Sequence, residues 1–112
     1  MEQVKIVKKP WGHEEWWAMT DKYVGKLLYI QHGHRLSLQY HNIKEETMRV
    51  MQGNLTFVLG DKTIEMKPGD SVHVLPGIIH RMEANDGDVV VVEVSTTEVD
   101  DIVRLADDYI RK

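Results

Sequence analysis

Short apolar stretches alternate with turn signals along most of this chain. "YVGKLLYIQ" is rich in apolar and aromatic residues, and "RLSLQYH" alternates strictly. "TMRVMQ" stops at "GN", "LTFVL" at "GDK", "TIEMK" at "PGD", "SVHVL" at "PG" and "IIHRMEA" at "NDGD", and "VVVVEVS" follows. Strand-like runs at this spacing, each closed by Gly, Pro, Asn or Asp, predict an antiparallel all-β sandwich or barrel. They lie too close together for βαβ units, which need a crossover helix between strands. The last segment, "TTEVDDIVRLADDYIRK", has a different period. Val99, Ile102, Val103, Ala106 and Ile110 follow helical spacing, with Thr97 as a cap and Glu98, Asp100 and Asp101 in the first turn. The pattern predicts one amphipathic C-terminal α-helix over about 97–111, packed on the barrel or on a partner subunit.

Alternation also marks the polar residues that do not belong on a surface. In "RLSLQYH", Leu36, Leu38 and Tyr40 share one face, and Arg35, Ser37, Gln39 and His41 share the other. A solvated face explains these alone. Glu46, however, falls in phase with Met48 and Val50, so its carboxylate points inward and needs a partner. A metal ion or an arginine would serve. His80 falls in phase with Ile78 and Met82, again on an apolar face. A lone histidine there is ordinarily a hydrogen-bonded core residue. Taken together, Gln39, His41, Glu46 and His80 form a candidate four-ligand site with oxygen and nitrogen donors.

Composition narrows the field. The 112 residues fit one domain, 1–112, and 42% hydrophobic with 29% charged residues is ordinary for a globular protein. A net charge of −4 gives no basic surplus for nucleic acid. There is no cysteine, which excludes disulfides, thiolate zinc sites and a cysteine nucleophile. No apolar run is long enough to span a membrane, and the N-terminus lacks the apolar core of a secretory signal, so a cytoplasmic location is expected.

The same residues resemble the cupin family. Gly33, Gln39-Tyr40-His41, Glu46 and Gly53 reproduce the spacing of the first cupin motif, with Gln39 in place of its first histidine. Gly69 and Pro76-Gly77-Ile78-Ile79-His80 resemble the second, with the proline one place later than in the pattern. Within cupins, Gln-x-His is similar to the mannose-6-phosphate isomerases, whose metal is held by Gln, His, Glu and His. "KPWGHEEWW", "LSLQYHNIKEETMRVMQG", "HRMEA" and "DDIVRLADDYIR" resemble, in order, stretches of the type II phosphomannose isomerase domain. Ile43, Thr47-Met48 and Ile110 depart from that domain without removing a ligand.

The resemblance implies a cupin double-stranded β-helix (jelly-roll) barrel, a homodimer, and a metal held by Gln39, His41, Glu46 and His80. It also implies a sugar-phosphate substrate and aldose–ketose isomerisation. Zinc is the favoured ion, with manganese, nickel or iron as alternatives, because this ligand set does not separate them. The phosphate needs cations. Arg35 leads, on the ligand face of its strand; Arg81 follows, although alternation turns it away from His80 towards a structural ion pair; His34 is the next polar neighbour. Lys44 and His73 are the candidate proton-transfer groups, His73 because it is out of phase with Val72 and Val74. An iron-dependent dioxygenase-type cupin and a non-catalytic metal- or sugar-binding cupin are the competing readings.

Overall fold

The computed structural model describes residues 3–109. Their architecture is the all-β one that the turn-punctuated alternation predicts. The strands are β1 (Lys5–Lys9), β2 (Gly12–Met19), β3 (Val24–Ile30), β4 (Leu38–Tyr40), β5 (Glu46–Leu59), β6 (Lys62–Met66), β7 (Ser71–Val74), β8 (His80–Ser95) and β9 (Val103–Ala106). All pairings are antiparallel. β1, β2 and β3 form a meander, and β3 joins the C-terminal half of β8, with Ile30 opposite Val89 and Val24 opposite Ser95. The other edge of that half pairs with the start of β5, where Glu46 faces Ser95 and Val50 faces Val91. The N-terminal half of β8 pairs with the end of β5 and, through Gln39 opposite His80, with β4. β6 and β7 complete the β5 side. One strand thus ties together the two walls of a curled sheet.

β5 and β8 are too long to be straight, and both change phase midway. Buried Glu46, Met48 and Val50 give way to buried Leu55 and Phe57; Met82 and Ala84 give way to Val89 and Val91. Register shifts between Val50 and Thr56 produce the switch. Each bulge moves the inward-facing set by one residue, so both halves of a bent strand keep their apolar face inside. Gly53 sits at the switch with φ 79°. A Cβ there would lie 2.2 Å from the Asp88 carbonyl oxygen. Gly53→Ala therefore combines left-handed strain with a backbone clash and is expected to lower stability by about 1–3 kcal/mol, read by thermal unfolding. The core is a contiguous cluster that includes Trp11, Leu28, Met48, Phe57 and Val91.

The expected C-terminal helix does not form in the described residues. Residues 97–102 make short turns, with Val99 N–H bonded to Thr97 O and Asp101 N–H to Glu98 O, and β9 then pairs with β4. The apolar positions read at helical spacing have other uses: Val99 and Ile102 line a cavity, and Val103 lies opposite Tyr40. β4 would otherwise present an open edge, so its unmet backbone groups override helical propensity. Ile110 and Arg111, the end of the expected helix, lie outside the described residues. No helix of the described residues is long and apolar enough to cross a membrane.

Candidate metal centre and cavity

β4, the loop after it, the start of β5 and the start of β8 converge on one point. Nitrogen or oxygen atoms of His41, Glu46 and His80 all lie within 4.8 Å of one another, and the three residues are buried. His80 Nε2 is 3.2 Å from Glu46 Oε1, and His41 Nε2 is 3.4 Å from Glu46 Oε2. Gln39 is directly opposite His80 in the β4–β8 register. The turn at Pro76-Gly77 aims His80 by bonding Gly77 N–H to the His41 carbonyl at 2.7 Å.

Four buried donor atoms meet here: Gln39 Oε1, His41 Nε2 and His80 Nε2 lack a hydrogen-bond partner, and Glu46 Oε2 has the Lys44 ammonium at 2.9 Å. Such orphans are rare in folded proteins and costly. All four are Lewis-basic. The other nitrogen of each ring is already committed: His41 Nδ1 meets the Asp101 carbonyl, and His80 Nδ1 meets the Ile78 carbonyl at 2.8 Å. With Nδ1–H donating to backbone, each Nε2 turns its lone pair to the centre, the arrangement metal-binding histidines adopt. A divalent ion fits this donor set. Burial lowers the His41 pKa, but the Glu46 carboxylate and the Asp101 carbonyl more than offset it, so a cation must compete with a proton here.

Behind the ligands runs a buried chain of alternating charge that the sequence reading missed apart from Lys44. Lys44 Nζ is 2.9 Å from Glu46 Oε2 and 3.3 Å from Glu93 Oε2. Glu93 is opposite Lys26 in the β3–β8 register, and Lys26 Nζ is 3.8 Å from Glu14 Oε1. Burial would lower the Lys44 pKa, yet Glu93 and Glu46 hold it well above the ordinary value. Burial also pushes Glu93 up, helped by the charge on Glu46, whereas the two histidines and Lys44 hold Glu46 far down despite its own burial. A signal for these residues was present. Lys26 is in phase with buried Val24, Leu28 and Ile30, and Glu93 with buried Val89 and Val91. The alternation that exposed Glu46 applies equally to them.

Gln39, His41, Lys44 and Glu46 all face a cavity of about 710 Å³. Six lysine and arginine side chains and four carboxylates line it, in a chain whose net charge is −4. Trp16 forms part of its wall, with Lys26 Nζ 4.2 Å and Lys5 Nζ 4.9 Å from the ring centroid. Trp11 is core, and Trp17 is partly exposed over Gly25.

Several predicted site residues stand elsewhere. His73 points outward and pairs with Glu45 at the surface, because inward-facing Val74 sets the phase of β7. Arg35 lies in a separate shallow pocket with His34, gripping Asp108 through Nε at 2.7 Å and Nη2 at 3.0 Å. His34 Nδ1 is 2.7 Å from the Tyr109 hydroxyl. Arg81 is buried, but it donates to the carbonyls of Leu36 and Ala106 and so pins β8 to backbone. β4 is only three residues long, and the alternation taken to run through Arg35 breaks before it begins.

Asp101 gives one acid-sensitive contact. Its carboxylate accepts the backbone N–H groups of Lys44, Asn42 and Ile43, which hold its pKa at about 2. A depressed folded value stabilises the protein above the ordinary carboxylate range, and that contribution is lost as pH falls towards 2. Acid unfolding of Asp101→Asn is expected to vary less with pH in that window than wild type.

The sequence profile of the family described as mannose-6-phosphate isomerase C-terminal matches residues 1–107. Alginate biosynthesis protein AlgA of Pseudomonas aeruginosa is 32% identical over 108 residues, covering 92% of this chain and 22% of that protein. Mannose-1-phosphate guanylyltransferase 2 of Escherichia coli O157:H7 is 30% identical, with 92% and 22% covered. The chain thus spans about a fifth of these relatives. Among solved structures, KdgF from a Halomonas species superposes with a TM-score of 0.78 at 18% identity, covering 88% of this chain and 91% of that one. An RmlC-like cupin from Shewanella frigidimarina gives 0.78 at 13% identity, covering 87% and 86%. The fold is the cupin double-stranded β-helix.

Proposed function

This chain belongs to the mannose-6-phosphate isomerase C-terminal family, and from that premise we propose that it is a metal-dependent aldose–ketose isomerase acting on a sugar phosphate. The observation that carries the reading is the buried cluster of His41, Glu46 and His80, with Gln39 opposite His80, beside a cationic cavity that Gln39, His41 and Glu46 line. The names of the relatives, a mannose-1-phosphate guanylyltransferase among them, support a mannose-phosphate context. Gln39, His41, Glu46 and His80 hold a divalent ion, zinc by preference, which supplies Lewis-acid polarisation of the substrate carbonyl and hydroxyl. Gln39 contributes an oxygen without a charge, which leaves the centre positive towards an anionic enediol. Two histidines and a carboxylate also suit iron chemistry, but a fourth protein donor fills a position that oxygen would need.

Isomerisation moves a proton between neighbouring carbons. Glu93 and Lys44 are the proton-handling groups of this reading, since both face the cavity and His73 does not. Lys44 keeps a cation beside developing negative charge, and Glu93, biased towards its protonated form by burial, is the group able to give and take a proton. The substrate phosphate is drawn to the lysines of the lining, Lys26 and Lys5 beside Trp16 foremost. A coupled assay on the metal-loaded protein with mannose 6-phosphate and fructose 6-phosphate should give interconversion that a chelator abolishes. Metal-loaded protein that turns over neither sugar, but consumes oxygen with a small substrate, would replace this reading with the dioxygenase one; metal binding with no turnover would leave a binding cupin.

Homodimerisation in the cytoplasm belongs to the same proposal. β1 has an open outer edge among the described residues, and Val4 and Ile6 are exposed on or beside it. Light scattering should report a dimer, and Ile6→Lys should shift it towards monomer.

A further inference from the structure

The metal reading above names four ligands but leaves open what holds the loop that carries His41 and leads into Glu46. Residues 41–45 join β4 to β5 without regular pairing of their own; they carry His41 and Lys44 and lead into Glu46 at the start of β5. Their partner is the segment after β8, the stretch whose spacing suggested a helix. Thr96 N–H bonds to the Glu45 carbonyl at 3.0 Å, and Glu45 N–H returns to Thr96 Oγ1 at 3.0 Å. Asp101 then engages the loop twice. Its carboxylate accepts N–H groups from three consecutive residues, at 3.0 Å from Asn42, 2.6 Å from Ile43 and 2.9 Å from Lys44. Its own carbonyl receives His41 Nδ1.

We propose that Asp101 is the positioning residue for the metal ligand His41, with residues 96–101 acting as a strap that holds the ligand loop in its metal-ready shape. The two contacts have distinct effects. The carbonyl selects the Nδ1–H tautomer and so leaves Nε2 free to bind a cation. The carboxylate fixes the three peptides after His41, which holds that ring's Nδ1 against the carbonyl and sets the placement of Lys44 beside Glu46; substitutions at 101 remove the carboxylate contact alone. Neither contact touches substrate. Asp101 is acidic and close to the centre, but its oxygens are committed to backbone donors, which separates it from a fifth ligand.

The inference rests on the metal reading, and its test does not involve the sugar. Full-length wild type, Asp101→Asn and Asp101→Ala would be titrated with Co²⁺ and Zn²⁺ against a chromophoric chelator. Loss of outer hydrogen-bond partners of metal ligands typically weakens metal binding roughly 10–100-fold. Asp101→Ala should fall in that range. Asp101→Asn keeps one acceptor oxygen and should fall between it and wild type. Asp101→Ala keeps the main-chain carbonyl but releases the loop that holds His41 against it, so in the metal-free proteins ¹⁵N spectra of the His41 ring should show a single Nδ1–H tautomer in wild type and tautomer mixing in Asp101→Ala. A merely structural role would lower the unfolding temperature without changing that tautomer. Unchanged metal affinity together with an unchanged tautomer in folded Asp101→Ala would overturn the proposal, and if Asp101→Ala does not fold, the same pair of results in Asp101→Asn would do so. If wild type takes up neither ion, the metal reading itself fails, while the tautomer still decides whether Asp101 orients His41.

Discussion

His80→Ala is expected to abolish stoichiometric metal uptake and, with it, metal-dependent isomerase activity. His80 is wholly buried, and its Nδ1 is held by the Ile78 carbonyl, so no neighbouring group can swing into its place. Loss of an outer partner typically costs roughly 10–100-fold in metal affinity; loss of a donor atom itself should exceed about 100-fold. Truncation also leaves a space beside Phe57, whose ring stacks on His80 at 6.1 Å. His80→Gln separates the two effects, since it fills much of that space but offers an oxygen in place of the imidazole nitrogen. Elemental analysis after chelator-free purification reads occupancy, and thermal unfolding of the metal-free proteins reads the packing cost. Full occupancy in both variants would mean that His80 is a core residue and that the ligand set is wrong. Gln39→Ala should have a smaller effect, since a neutral oxygen is the weakest donor of the four.

Lys44→Met is expected to be the most destabilising single change at the site, and to be partly relieved by metal. Its ammonium lies between two buried carboxylates, Glu46 and Glu93. Removing one partner of a buried ion pair typically costs about 3–5 kcal/mol, because the charge left behind has neither water nor a counterion. Here two carboxylates lose the same cation. Glu93 has the readier escape, since burial raises its pKa, whereas the two histidines and Lys44 hold that of Glu46 down. The double variant Lys44→Met/Glu93→Gln should therefore recover only part of the loss. A divalent ion on Glu46 supplies the missing positive charge, so the gap between Lys44→Met and wild type should narrow when both are saturated with metal. Denaturant unfolding with and without Zn²⁺ measures this. An equal gap in both conditions would show that Lys44 and the ion do not share Glu46.

The two expected results differ in how visible their residues were beforehand. Glu46 and His80 stood out because a charged or polar side chain fell in phase with apolar neighbours, which is a purely local pattern. Lys26 and Glu93 carry the same mark inside "YVGKLLYI" and "VVVVEVS". Arg35 and His73 show the limit of alternation. It says which residues share a face, and it loses its phase wherever a strand stops, as β4 does before Leu38. The helix expected at 97–111 failed for a non-local reason. The residues that look amphipathic at helical spacing are instead divided between a cavity wall and the open edge of β4, and nothing within the segment announces that edge. Asp101 is the sharpest case: read as a helix-dipole residue, it caps a loop about sixty positions earlier in the chain, at sequence separations of 57 to 59.

The double duty of β8 bears on how the molecule comes into being. This strand, His80–Ser95, is the hydrogen-bonding neighbour of β3, β4 and β5, yet it follows all three in the chain. Until it emerges, β3 and β5 have no partner on the edges it will fill, and such unpaired edges invite pairing with other chains. Closure therefore waits on β8 and is slow, as befits a topology built from distant pairings. A chain that lacks β8 would be a client for chaperones, while one that includes it can close on itself.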